Sequence, residues 1–131
     1  MLSSDGRCFV CGKENPGGLQ LDFSFAEDGL SAETVFLPEE KYQGWSGIVH
    51  GGMIMTVLDE AMAQAAVHKG YTVVTGEMTV KLKNPAKTGE PLRCRGAIEH
   101  VKKKILYASA SASREDGTVI AEATAKLVII A

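Results

Sequence analysis

The stretch GIVHGGMIMTVLDEAMAQ, residues 47–64, reads as a loop running straight into a buried helix. Projected at about 100° per residue, Ile54, Met55, Leu58, Ala61, Met62 and Ala65 form a wholly apolar face. The opposite side carries a thin polar stripe of Thr56, Asp59, Glu60 and Gln64, broken by Met53, Val57, Ala63 and Val67. A helix apolar over most of its circumference is buried, so the stripe is expected to meet another protein surface rather than bulk water. His50-Gly51-Gly52 stands where this helix begins. Glycines at a helix start leave the unpaired N–H groups and the positive end of the dipole open to an anion or a developing oxyanion. About two turns further on, Asp59 and Glu60 are the acidic residues of an otherwise apolar run, where a carboxylate needs a reason.

Around this helix the chain reads as strands. Residues 19–25 alternate apolar and polar side chains, Asp28-Gly29 supplies a hairpin turn, and residues 30–37 return. Pro38-Glu39-Glu40 suits a short turn of helix before the loop that contains Gln43 and Trp45. Beyond Gly70, strands are expected over residues 73–84, 92–104, 105–115 and 118–130, with Asp116-Gly117 turning the last pair. Ala108, Ala110 and Ala112 on one strand and Ala121, Ala123 and Ala125 on the next leave room for something bulky to lie across them. One long helix over a mostly antiparallel sheet is an α+β architecture. Residues 1–18, rich in glycine and without a sustained period, form an N-terminal arm, and residues 19–131 form the domain.

A chain of 131 residues suits one domain with a real core. With 14 basic and 16 acidic residues its net charge of -2 suggests neither nucleic acid nor an anionic membrane as partner. No signal-peptide pattern follows Met1, and no apolar run approaches the roughly 20 residues of a membrane span, so a cytoplasmic location is expected. Three cysteines are too few for a disulfide framework. Cys8 and Cys11 have the two-residue spacing of a thiolate metal pair, yet the chain holds no second pair. A structural turn is the expected role, with no metal and no cofactor, and Cys94 reads as core.

The run Gly47, His50, Gly51, Gly52 and Asp59, with the spacing GxxHGGxxxxxxD, resembles the active-site segment of hotdog-fold acyl-CoA thioesterases of the phenylacetate-degradation type. VTGEMTVKLKNPAKTGEPL after the helix and REDG near the end fall where that family has strands, and CFVCGKENPGGLQLDF is similar to a subgroup of the superfamily. The resemblance implies a long helix wrapped by a six-stranded antiparallel sheet, a homodimer or dimer of dimers, and active sites at the subunit interface. It implies that Gly51 offers its N–H to the thioester carbonyl of an acyl-CoA, that His50 orients or polarises that group, and that Asp59 acts as general base or nucleophile. Thr75 falls where relatives carry a Ser or Thr contacting the attacking water, and Glu60 is the rival base. Gly44, beside Gln43, stands where relatives often carry Asn or Asp. Basic residues in the region of Lys103 and Lys104 meet the nucleotide phosphates of coenzyme A in such proteins.

Helix geometry adds a constraint of its own. Eight residues separate Gly51 from Asp59, a rise of about 12 Å, so the two cannot serve one carbonyl within one chain. A two-fold pair of antiparallel helices brings Gly51 of one copy to Asp59 of the other, twice per dimer. Gly52, Gln43, Trp45 and Met53 are expected around the substrate, with Tyr42 and Met78 beside the acyl group. The alternative to catalysis is a noncatalytic acyl-CoA-binding protein. A hotdog hydratase is disfavoured, because its Asp followed about five residues later by His has no counterpart before this helix.

Overall fold

The computed structural model describes residues 2–131. Six strands, β1 (Ser24–Phe25), β2 (Ser31–Phe36), β3 (Val73–Leu82), β4 (Leu92–Lys102), β5 (Ile105–Arg114) and β6 (Val119–Ile129), form one antiparallel sheet around a single long helix, α1 (Gly51–His68). The strand order is β1-β2-β4-β5-β6-β3, so β3 ends the sheet on one side and the short β1 on the other. A 3-10 turn at Glu40–Tyr42 leads into the loop before α1, as the Pro-Glu-Glu sequence suggested.

Small residues on the sheet decide how close α1 can come. A Cβ built on Gly96 of β4 would lie 2.4 to 2.5 Å from the backbone of Ala61 and Met62, which no side chain tolerates. The helix therefore rests backbone-first on β4 and then on β5, where Leu106, Ala108, Ala110 and Ala112 are buried beneath it. The bulky element that the alanine rows accommodate is the chain's own helix. Ile54, Val57, Leu58, Ala61, Met62, Ala65 and Ala66 are buried along α1, whereas Met55 is 37% exposed. Val57 and Met55 thus exchange the places expected from the helical projection, because the curved sheet covers the Val57 side of the apolar arc.

Strand ends differ from expectation by at most two residues, save at the first strand. Residues 19–23 alternate like a strand but lie outside the sheet, and only Ser24–Phe25 pairs with β2. Their partner is the N-terminal arm: the N–H groups of Leu19 and Leu21 donate to the carbonyls of Phe9 and Val10, each at 2.8 Å. The arm is packed accordingly, with Val10 buried.

One irregularity positions the site. Along β3 the register against β6 slips between Thr75 and Glu77, with Gly76 as the extra residue of a bulge. Met78 and Val80 face α1, opposite Ala125 and Ala123. Strict alternation would turn Thr75 to the other face. The bulge instead sets Thr75 opposite the buried Leu127, on the helix side of the sheet.

Candidate active site

The start of α1 is built by His50 as N-cap. Its backbone is extended (φ -60, ψ 129), and its Nδ1 accepts the Gly52 N–H at 3.0 Å. An Nδ1 that accepts leaves the proton of the neutral ring on Nε2, which faces outward as a donor. The Met53 N–H reaches the His50 carbonyl at 2.9 Å. The Gly51 N–H has no intramolecular acceptor among the described residues, so at the positive end of the dipole a single donor remains free. Of the two glycines, then, Gly51 offers a hydrogen bond and Gly52 is occupied by the cap.

A groove beside this donor is lined by Gly44, Trp45, Ile48, Val49, His50 and Gly51. Trp45 is 86% exposed on the groove rim and encloses nothing within one chain. Gln43 is committed to the loop, its Oε1 accepting the Gly47 N–H at 3.0 Å. Gly44, beside it on the groove wall, carries no side chain to position a water. Met53 is half-buried against the core, and Tyr42 and Met78 pack there as well.

Asp59 lies on the side of α1 that faces β3. Thr75 Oγ1 donates to its Oδ1 at 2.5 Å, the contact that the Gly76 bulge makes possible. One carboxylate oxygen is thereby fixed while the other stays open. Asp59 is half-buried and Thr75 exposed in the single chain, on a surface that includes Met55 and the free edge of β3. Thr75 therefore contacts the carboxylate itself, a role that its place after the helix did not reveal; the glycine following it is the signal for a bulge.

Glu60, the neighbour of Asp59, points elsewhere. Its Oε2 accepts from Gln64 Nε2 at 2.8 Å, and its Oε1 is 3.6 Å from Cys8 Sγ. Burial, then hydrogen bonding to Glu60 and Cys8, pushes the Cys11 thiol well above its ordinary range. The two acidic residues thus belong to two separate clusters, Asp59 with Thr75 and Glu60 with Cys8 and Cys11.

Lys103 and Lys104 form the two-residue turn between β4 and β5, Lys103 in the left-handed region at φ 57, and both are exposed. Through the register Leu106 to Leu127 to Thr75, this turn shares the end of the sheet that carries Thr75 and Asp59. It stands two strands, about 10 Å, to the side. Gly51 belongs to the other end of β3, where a Cβ on it would meet Leu82 Cδ1 at 2.8 Å. The structure brings Asp59 and Thr75 together and keeps Gly51, Asp59 and the lysines apart within one chain.

One long helix wrapped by a six-stranded antiparallel sheet is the hotdog fold. The family model described as Thioesterase superfamily matches residues 46–121, and the chain belongs to that superfamily. Its sequence is 30% identical over 95 residues to acyl-coenzyme A thioesterase THEM4 of Xenopus laevis, covering 72% of this chain and 43% of that protein. The chain therefore spans less than half the length of this curated relative. Among solved structures, the thioesterase superfamily protein RHA08564 superposes with a TM-score of 0.87 at 24% identity, over 94% of this chain and 60% of the other. The protein smu.793 of Streptococcus mutans, crystallised bound to acetyl CoA, gives a TM-score of 0.77 at 20% identity, over 83% of this chain and 87% of its own. Among the described residues no helix is long and apolar enough to cross a membrane.

Proposed function

We propose that this chain hydrolyses acyl-CoA thioesters as a homodimer or dimer of dimers, in the manner of the phenylacetate-degradation type that its HGG and Asp spacing resembles. The observation that carries this reading is the pairing of one free helix-start donor, the Gly51 N–H, with a carboxylate, Asp59, that Thr75 holds by a single oxygen. In each site the Gly51 N–H of one copy receives the thioester carbonyl, stabilising the negative charge that develops there. His50 Nε2–H is a second donor at the same mouth. Asp59 of the other copy takes the proton from water, or attacks directly, through the oxygen that Thr75 leaves open. The tetrahedral intermediate expels the coenzyme A thiolate, leaving the free acid where water attacked, or an Asp59 mixed anhydride that a water molecule then hydrolyses to the acid where Asp59 attacked.

The edge strand supplies the arrangement. β3 is ten residues long and among the described residues has no partner on its outer side, which is a ready template for a second copy. With Gly76 counted as the extra residue of the bulge, antiparallel pairing about a two-fold axis at Thr79 sets Leu82 opposite Thr75 of the other copy. Gly51 packs at Leu82 and Asp59 at Thr75, so this register joins the two halves of each site. The lysine turn at 103 and 104, at the Asp59 end, suits the phosphates of the nucleotide, while Trp45, Met53, Gly52 and Gln43 stand at the acyl side.

A panel of aryl, medium-chain and short-chain acyl-CoAs with free-thiol detection tests the reading. Turnover is expected on at least one class, with Asp59→Asn lowering kcat by about 10²-fold or more and Glu60→Gln lowering it far less. Acyl-CoA binding without turnover across the panel refutes hydrolysis and favours a noncatalytic binding protein.

A further inference from the structure

We propose that Cys8, Cys11 and Glu60 form a zinc site that fastens the N-terminal arm to α1. The Sγ atoms of Cys8 and Cys11 and a carboxylate oxygen of Glu60 all lie within 4.8 Å of one another. Cys8 Sγ and Glu60 Oε1 are 3.6 Å apart. That matches the ligand-to-ligand edge, about 3.5 Å, of a tetrahedron with Zn–S near 2.3 Å and Zn–O near 2.0–2.2 Å.

The backbone of the arm is shaped to present the two sulfurs. The N–H groups of Val10 and Cys11 both point at Cys8 Sγ, each at 3.4 Å, a pattern that stabilises a thiolate. The turn closes with the Gly12 N–H on the Cys8 carbonyl at 2.9 Å. A Cβ at Gly12 would fall 2.4 to 2.6 Å from backbone atoms of Cys8 and Gly6, so only glycine permits a knuckle this tight. Glu60 comes from the middle of α1, 52 residues away in the chain. Its second oxygen is held by Gln64 Nε2 at 2.8 Å, the kind of outer contact that fixes the orientation of a metal-binding carboxylate.

The donor set names the ion class. Two thiolates and one carboxylate exclude magnesium and calcium, which take oxygen ligands, and suit zinc in tetrahedral geometry. Three acidic donors at this separation repel one another unless protonated or neutralised, and a divalent cation removes most of that repulsion. Among the described residues no further His, Cys, Asp or Glu joins the cluster, so the fourth position falls to water. The site clamps the arm to the helical turn that carries Asp59 and takes no part in the reaction.

The test uses the full chain, purified reduced and then freed of metal, and none of its readouts is thioester hydrolysis. Zinc titration is expected to saturate at about one ion per chain with release of thiol protons. Cobalt(II) in its place is expected to show thiolate charge-transfer bands with the intense visible bands of a tetrahedral ion. Cys8→Ser and Cys11→Ser should each abolish the charge-transfer signature, and Glu60→Gln should weaken zinc binding by at least about tenfold. A reduced wild-type chain that stays folded and takes up neither ion at micromolar concentration overturns the proposal. So does equal zinc affinity in folded Cys8→Ser. The wild-type cobalt spectrum decides the matter even if a cysteine variant fails to fold.

Discussion

If each site takes its N–H donor from one copy and its carboxylate from the other, two inactive variants should restore activity when mixed in one dimer. Asp59→Asn removes the base, at a cost of about 10²–10⁴ in kcat. Gly51→Pro removes the free N–H, at about 10²–10³ in kcat, or about 3–4 kcal/mol of transition-state stabilisation. The proline is compatible with the local structure: position 51 is the first of the helix, where proline is favoured, and His50 already has the extended backbone that must precede it. The one close contact is with the tip of Leu82, a side chain 48% exposed and free to turn away. Random assembly of co-expressed variants makes about half of the dimers mixed, and each mixed dimer has one site with both changes and one with neither. About a quarter of wild-type kcat per chain is therefore expected, against about one hundredth or less for either parent. Were Gly51 and Asp59 of one chain to share a site, every site in a mixed dimer would lack one group. A co-expressed pool no more active than its parents, with mixed dimers verified by two affinity tags, would refute the shared-site geometry.

Two further outcomes concern the frame that holds the site. Gly96→Ala places a methyl against the backbone of Ala61 and Met62, so an overpacking loss of about 1–3 kcal/mol or more is expected. Urea unfolding should show it as a lower midpoint at unchanged slope, and an unchanged midpoint would mean that α1 does not rest on β4 as described. Burial pushes the Cys94 thiol from 9.0 up to about 12, a folded-state value above the unfolded one. Its contribution is whole below about pH 9 and is lost as pH rises towards about 12, since the unfolded chain ionises first. Cys94→Ala should flatten the fall in unfolding free energy over that window relative to its own value at pH 8, and an identical decline would assign the alkaline sensitivity to other groups.

The parts of this protein legible in the sequence are those governed by neighbours along the chain. The 18-residue helix, its start at His50-Gly51-Gly52, the four long strands and their turns follow from short-range periodicity and turn chemistry. Helical rise alone separated Gly51 from Asp59 and pointed to a second copy. Contacts between distant segments were not legible, because periodicity describes a face and not its partner. The alternation of residues 19–23 was real, yet it serves the N-terminal arm and not the sheet. Val57 and Met55 stand about 200° apart around the helix, and only the placement of the sheet against α1 decided which is buried. Thr75 reached Asp59 because one extra residue at Gly76 reversed the direction of its side chain. Asp59 and Glu60, adjacent and equivalent as carboxylates, parted company because a turn of helix rotates them by about 100°. That rotation sends one to β3 and the other to a cysteine knuckle formed 52 residues earlier.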